Sequence, residues 1–478
     1  MWVSNYTIYV PIPNNSRYLL VHGYTGAIDI VDTNLAFALQ DCFSTGSPIS
    51  TLALPSDILH RLEQRGYLTD LSLEEEVKFV SRLSKKLYDY DFERTVFWII
   101  PSYECQLRCK YCFERPIQNK GEKQGWLSQN ISNRNISSAY SAMRELMGNK
   151  PNKQITIYGG EPLLPKNHET IAEILDQGSR LGFHFVSLTN GVDVDAYTDL
   201  LGPGKIEELH ITLDGPQITH DQLRVRANGL GTFKRIADNV ELALNRGSRV
   251  LLRVNVTWDV LARLHDMIEI VKERGWEKRP GINIYCQAIY ASKQYQTCAS
   301  PYSFQKLQPF FAESSAENCL GFIDNKKIAQ YIYRAGWDEY FTVDLQVSDI
   351  TSAILTGNPI NALKPSGCHS QSSWYIFDPF GNIYCCSNQV GDPRYRIGVF
   401  TPKLKMNDNL GYWRGRVLYN LPNCKICRYA LYCAGGCAQQ DLISTGDPYT
   451  VDCKSFPQRF EASLIAGYLR KKNFLEVT

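Results

Sequence analysis

Between Val96 and Gln287, six short apolar runs alternate with stretches of helical length. No other feature of the chain restricts its fold as much. The runs are Val96–Pro101, Gln154–Tyr158, His184–Thr189, Glu208–Leu213, Val250–Val256 and Ile282–Gln287. The segments between them, among them 132–147, 168–181, 232–247 and 260–274, repeat apolar residues at helical spacing. Strands that alternate with helices pair in parallel through right-handed crossovers. Six units are fewer than a closed eight-stranded barrel needs. The expectation is therefore an α/β fold built on a partial (β/α)6 barrel of the TIM type, with its chemistry at the C-terminal strand ends.

The flanking segments read differently. Residues 1–90 carry three short strand patterns, Thr7–Pro11, Arg17–Val21 and Ala27–Val31, with a turn at Gly23–Gly26. Helical spacing follows near 33–40, 55–65 and 72–87. Three strands and three helices predict a winged-helix-like module. The barrel then occupies 91–290, and 291–367 forms a bridging region with helices expected at 302–316 and 325–335. Residues 368–478 are short-stranded, loop-rich and cysteine-dense up to a helix near 455–471, a composition that leans on metal for stability.

The formal net charge of +2 over 478 residues gives no reason to expect a nucleic-acid partner. No run of eighteen apolar residues predicts a membrane span, and the N-terminal stretch lacks the basic and apolar regions of a signal peptide, so a cytoplasmic protein is expected. Fifteen cysteines in such a chain point to metal rather than to a disulfide framework. Ten of them fall into two patterned groups. The other five, Cys42, Cys286, Cys298, Cys319 and Cys385, are read by default as small buried apolar residues.

The first group, Cys105-x3-Cys109-x2-Cys112, directly follows the first barrel strand. Three thiolates can hold three irons of a cubane cluster and leave the fourth iron open, whereas most protein-held cubanes take four cysteines. Half of a zinc site, completed from elsewhere, is the alternative. With Tyr111 before the last cysteine, the triplet resembles the radical S-adenosylmethionine superfamily. That resemblance implies that the open iron chelates S-adenosylmethionine, and that an electron from the cluster cleaves the cofactor to a 5'-deoxyadenosyl radical, which takes a hydrogen atom from substrate. It also implies that Tyr111 and Phe113 shield the adenine.

Further strand ends fit the same resemblance. Gly159-Gly160-Glu161-Pro162 closes the second strand and is similar to the superfamily's Gly-Gly-Glu-Pro motif, whose glutamate accepts from the cofactor's ammonium group. Thr189-Asn190 closes the third strand and Asp214 the fourth. His220, Asp221, Arg224, Arg226 and Gly231 follow in an order that resembles the peptide-modifying branch. Arg253 and Asn255 share one face of the fifth strand, where they could meet ribose and carboxylate.

The second group is Cys368, then Gly381 and Cys386, then Cys424-x2-Cys427-x5-Cys433-x3-Cys437, and finally Cys453. A zinc ribbon is the simple alternative. The full order resembles the SPASM domain, which carries auxiliary 4Fe–4S clusters. The resemblance implies three clusters in all. Cys424, Cys427, Cys433 and Cys453 would complete one auxiliary cluster, while Cys368, Cys386 and Cys437 would give three ligands to the other. Its fourth position would be open to a substrate thiolate or filled by Cys385, Cys319 or His369.

Together these likenesses imply a maturase of the sactisynthase and ranthipeptide-synthase kind. Its partners would be a ribosomally made precursor peptide, whose leader pairs with the edge of the N-terminal sheet at Arg17–Val21 or its neighbour, and a flavodoxin or ferredoxin as electron donor. The leading expectation is a thioether from a cysteine sulfur to a peptide carbon. Carbon–carbon crosslinking and backbone excision of the splicease type use the same front end. Anaerobic sulfatase maturases are also similar, but their members carry an aspartate after the cysteine matching Cys386, where this chain has Ser387. The alternative of another class is a non-catalytic metal-binding scaffold for peptides.

Overall fold

The computed structural model describes all residues except 14, 150–151, 290–298, 312–322, 344–362, 452, 454–455 and 478. The expected Cys298 and Cys319, and the end of the 302–316 helix, lie outside the described residues. Two compact units divide the chain: one gathers 1–92, 345–372 and 412–478, the other 93–344 and 373–411.

In the first unit, β1 (Thr7–Pro11), β2 (Arg17–His22) and β3 (Ile28–Asp32) form an antiparallel sheet in that order. Leu19 pairs with Val10 on one side and Ile30 on the other. Arg17–Val21 is therefore the central strand, and the expected edge belongs to its neighbours: its own N–H and C=O groups are already spent on both sides. Alternation sends Leu19 and Val21 to one face, where they join Ile8, Val10, Tyr432, Phe456, Phe460 and Leu464 in one core. Leu20 turns to the other face, against Leu39, Cys42, Leu62 and Tyr67. Three helices follow, α1 (Thr33–Thr45), α2 (Ser56–Gln64) and α3 (Leu73–Phe92). The Asp32 side chain caps α1 by accepting from Leu35 N at 2.8 Å. The C-terminal helix, Phe456–Val477, supplies the second cover of the sheet. Each of its buried aromatic side chains contributes ~2 kcal/mol of transfer free energy.

A polar node is buried in this unit. The Glu76 carboxylate accepts from the Ser4 hydroxyl, from Tyr24 Oη (3.2 Å) and from Asn5 N (3.0 Å). His22 Nδ1 accepts from Thr25 N at 3.3 Å, which leaves Nε2 to donate to Ser4 Oγ at 3.0 Å. The ring is thus held neutral.

The second unit is built on a sheet whose strands are β4 (Val96–Ile99), β5 (Gln154–Ile157), β6 (His184–Thr189), β7 (Ile206–Thr212), β8 (Arg249–Val256), β9 (Ile282–Ala288), β10 (Thr342–Val343), β11 (Trp374–Phe377), β12 (Asn382–Tyr384), β13 (Gly398–Val399) and β14 (Lys405–Met406). Their order is β10-β9-β8-β7-β6-β5-β4-β11-β12-β13-β14. The stretch from β10 to β11 is parallel throughout, and the last three strands pair antiparallel. All six expected strands are present and parallel. Two further strands, β10 and β11, lie outside 91–290 and extend the parallel row to eight. They are short and lie among loops, and β11 was hidden by the cysteine-dense composition around it. The helix expected at 260–274 is broken at Arg263 into Trp258–Ala262 and Leu264–Glu273. Cys286 on β9 is fully buried. Among the described residues no helix is long and apolar enough to cross a membrane.

Candidate active site

Cys105, Cys109 and Cys112 sit on the loop that leaves the C-terminal end of β4, and the loop is fastened on two sides. Toward the segment after the fourth expected strand, Arg108 N donates to Val225 O (2.8 Å), Lys110 N to Leu223 O (3.1 Å) and Ala227 N to Gln106 O (3.1 Å). Toward β5, Glu161 N donates to Glu104 O at 2.7 Å. Gly159 and Gly160 make that approach possible. A Cβ on Gly159, whose φ is +139°, would stand 2.5 Å from Ser102 O, and one on Gly160 would stand 2.2 Å from Tyr103 O and 2.5 Å from Glu104 O.

The three thiols are mutual neighbours. Burial pushes the Cys105 thiol up, and nearby Glu161, Cys109 and Cys112 add to this. Cys109 is raised by burial against the opposing pull of Arg224. Cys112 is pushed up to about 11 by burial, then by Glu114 and Cys109. Three such thiols ionise together only where cations replace their protons. Soft donors, crowded and shielded in this way, fit an iron–sulfur cluster. Among the described residues no three His, Cys, Asp or Glu side chains converge as around a single ion; ligands to separate irons of one cluster need not do so.

The strand-end residues form two clamps. In the first, the buried Glu161 carboxylate accepts from Leu163 N (2.8 Å), Thr189 Oγ1 (2.6 Å) and Asn190 N (2.6 Å). It therefore ties the end of β5 to the end of β6. Burial raises it to about 7 in spite of those donors. Asn190 Nδ2 reaches Gln106 Oε1 (2.9 Å), and Gln106 Nε2 reaches Asp193 Oδ2 (2.9 Å). Pro162 is buried, and its carbonyl accepts from Asn167 Nδ2 at 3.0 Å.

In the second clamp the Tyr111 hydroxyl donates to Asp214 and accepts from Arg224 Nη1 (2.8 Å) and Asn255 Nδ2 (3.1 Å). Asp214 Oδ1 accepts from Asn255 N (2.9 Å), and Asp214 N donates to His220 Nδ1 (3.0 Å). His220 Nε2 then donates to Thr232 Oγ1 at 3.0 Å. Burial holds His220 well below the ordinary imidazole range. Asp221 accepts from Thr232 N (2.7 Å) and Phe233 N (2.9 Å), capping the helix Phe233–Asn245. Arg253 Nε donates to Asn255 Oδ1 at 2.8 Å, while Arg226 lies apart, 3.9 Å from Asp193. Phe113 is 48% exposed, unlike Tyr111. A depression of about 610 Å³ is lined by Asp221 and Gly231 of the branch-like run, with Asp195, Phe233, Lys234 and Asp238, and holds none of the residues expected to meet the cluster or cofactor.

Of the second cysteine group, Cys386 belongs to the second unit, buried beside Tyr158. The others lie in the first unit. Cys424 is pushed up to about 11 by burial, then by Cys427, with Cys453 also near. Cys433 is pushed up to about 12 by burial, then by Cys424 and Cys427. These four are thus brought together. Cys368 is exposed, with Cys437 near and Ser370 Oγ at 2.9 Å. His369 is engaged by Asp91 at 3.2 Å.

Sequence reasoning missed Gln106, Glu114 and Arg416. Gln106 is hidden between two ligand positions. Glu114 is buried against Tyr158 and raised to about 7, mainly by burial, and its adjacency to the triplet was its only signal. Arg416 is fully buried, a position no spacing announces.

Residues 99–271 match the Radical SAM superfamily, so the chain carries a radical SAM domain. A cysteine-type anaerobic sulfatase-maturating enzyme of Clostridium novyi (strain NT) is 22% identical over 377 residues, covering 76% of this chain and 93% of that one. Among solved structures, native anSMEcpe with bound AdoMet and Kp18Cys peptide shares the fold, with a TM-score of 0.56 at 16% identity over 80% of this chain and 99% of that one. Streptococcus suis SuiB bound to precursor peptide SuiA gives a TM-score of 0.49 at 14% identity over 96% of this chain and 99% of that one.

Proposed function

We propose that this protein is a radical S-adenosylmethionine enzyme that modifies a precursor peptide, forming a thioether from a cysteine sulfur to a peptide carbon. The observation that carries the reading is the crowded thiol triplet at the end of β4, clamped to the neighbouring strand ends within the radical SAM domain. Cys105, Cys109 and Cys112 would hold the radical-generating cluster, and the array from Cys368 to Cys453 the two auxiliary ones of a SPASM domain. When bound, these groups supply one-electron cleavage of S-adenosylmethionine, hydrogen-atom removal from a peptide carbon, and acceptance of the electron released when sulfur bonds that carbon.

The chain's own residues hold the ligands in place. Glu161 and Gln106 fix the loop against β6, and Tyr111, Asp214, Arg224 and Asn255 fix it against β8. Residues 1–90 would act as a winged-helix-like leader-recognition element. Strand β3 is the better edge for an added strand, because exposed Ile30 on it and Phe37 on α1 offer an apolar surface. A flavodoxin or ferredoxin would deliver the electrons.

The likeness to the Clostridium novyi enzyme supports a second reading, oxidation of a peptide residue as in sulfatase maturation. Ser387 weighs against it, since a hydroxyl is a poor base at neutral pH. The test is anaerobic co-expression with a small open reading frame beside this gene, followed by mass spectrometry. Loss of two hydrogens with loss of the peptide's thiol supports the thioether. Formation of 5'-deoxyadenosine with an aldehyde in the peptide supports the second reading. Reduced, reconstituted protein that yields no 5'-deoxyadenosine sinks both.

A further inference from the structure

Among the described residues Arg416 is the largest charged side chain buried without exposure, and nothing in the proposed chemistry uses it. Its guanidinium donates to Gly435 O (2.5 Å), Gly436 O (3.2 Å), Pro448 O and the Asp441 carboxylate. Gly435 and Gly436 lie on the three-residue link from Cys433 to Cys437. The same link is pinned by Gly436 N to Cys433 O (3.0 Å) and by Asp441 N to Cys437 O (3.1 Å).

The Arg416 backbone completes the connection. Its carbonyl accepts from Gln371 Nε2 at 2.9 Å, and Gln371 Oε1 accepts from Cys368 N at 3.2 Å. Gly367, next to Cys368, lies so close to the link that a Cβ on it would stand 1.7 Å from Gly436 O. One arginine therefore binds the backbone that carries Cys433, Cys437 and Cys368. A neutral hydrogen-bonding residue would satisfy the two glycine carbonyls without placing a cation beside the link that joins Cys433 to Cys437.

We propose that Arg416 is a positioning residue shared by both auxiliary clusters: it fixes the link on which the ligands of one set, Cys433, pass to those of the other, Cys437, and it holds both clusters at a higher reduction potential by a permanent positive charge. This rests on the reading of the C-terminal array as two iron–sulfur sites. A nearby cation stabilises the more negative, reduced cluster. Clusters tuned in this way are better acceptors for the electron released at sulfur–carbon bond formation.

The test uses the full chain with Cys105, Cys109 and Cys112 replaced by Ala, so that all remaining iron belongs to the array. Redox titration followed by electron paramagnetic resonance is run on this protein and on R416Q, R416K and D441N added to it. The expected result is a shift of both clusters to lower potential in R416Q and to higher potential in D441N. R416K should keep the potentials near the parent but lose iron to a chelator several-fold faster, because the ammonium cannot span both glycine carbonyls. Unmoved potentials in both R416Q and D441N overturn the inference while leaving the array reading intact. Should R416Q fail to fold, the sign of the shift in D441N still decides. A parent that binds no iron overturns the array reading itself, and this inference with it.

Discussion

Replacing Gly160 with Ala tests the most specific structural claim, that the two glycines after β5 exist to let the cysteine loop approach. The added Cβ would lie 2.2 Å from Tyr103 O and 2.5 Å from Glu104 O. Both obstacles are backbone, so no side chain can swing aside. Reaching ordinary contact demands roughly 1 Å of separation between the β5 end and the loop, and overpacking of this kind costs about 1–3 kcal/mol. The same movement stretches the Glu161 N to Glu104 O bond, now 2.7 Å, and its loss adds ~1 kcal/mol. The expected total is about 2–4 kcal/mol, read by denaturant unfolding of the metal-free protein. The loop that carries Cys105 moves with it, so iron bound by a variant retaining only the triplet should fall. Gly411→Ala is the control: the position is helical with nothing within 4 Å of a new Cβ, so a gain of about 0.5–1 kcal/mol is expected. A Gly160→Ala protein as stable as its parent and loading the triplet normally would refute the reasoning.

Three other outcomes follow from the same geometry. Tyr111→Phe leaves the Asp214 carboxylate and Arg224 Nη1 without the hydroxyl that joins them; unfolding should cost about 1–3 kcal/mol less than in the parent, and an unchanged midpoint would contradict the clamp. Burial lowers the His22 imidazole from 6.5 to about 3, so its contribution is present above pH 6.5 and is lost as pH falls toward 3. A drop of up to about 5 kcal/mol is expected across that window, and His22→Gln should flatten the pH profile of stability measured by denaturation. Stripping the iron proposed for the array with a chelator leaves Cys424, Cys427 and Cys433 crowded beside Tyr432, which packs with Phe460 against the N-terminal sheet. Limited proteolysis within residues 1–92 should then accelerate, and cleavage at an unchanged rate would show that the array does not support that core.

The barrel strands were legible because each is a short, mostly apolar run between helices of ordinary length, the pattern of a strand covered on both faces. Strands β10 and β11 were not, since two and four residues carry no period of their own and acquire strand geometry only by pairing with β9 and β4. The cysteine groups were legible as spacing. What spacing does not reveal is the joining of distant segments: Ile8 and Val10 share a core with Phe456 and Phe460 because an apolar sheet face needs a cover, and the covering helix lies at the far end of the chain. Spacing likewise left the edge open between Arg17–Val21 and its neighbour, and the pairing makes the neighbour the edge. Arg17–Val21 has the most strand-like pattern of the three, and that very apolarity on both faces is the mark of a central strand.

The strand-end polar residues looked alike in the sequence, each a candidate for ligand contact, and their hydrogen bonds now separate them. Glu161 is committed to Leu163, Thr189 and Asn190, and Asp214 to Tyr111 and Asn255. A carboxylate with several donors already in place holds strand ends at fixed separation. Arg253 differs: among the described residues its guanidinium gives Nε–H to Asn255, leaving the outer fork to meet a carboxylate in two parallel bonds. Asn255 in turn holds Tyr111, one residue before Cys112. A carboxylate seated on Arg253 would thus be registered against the cysteine loop through a single intervening side chain. Asn255, which builds the site, and Arg253, the proposed receiver of what enters it, occupy the same strand face, one alternation apart.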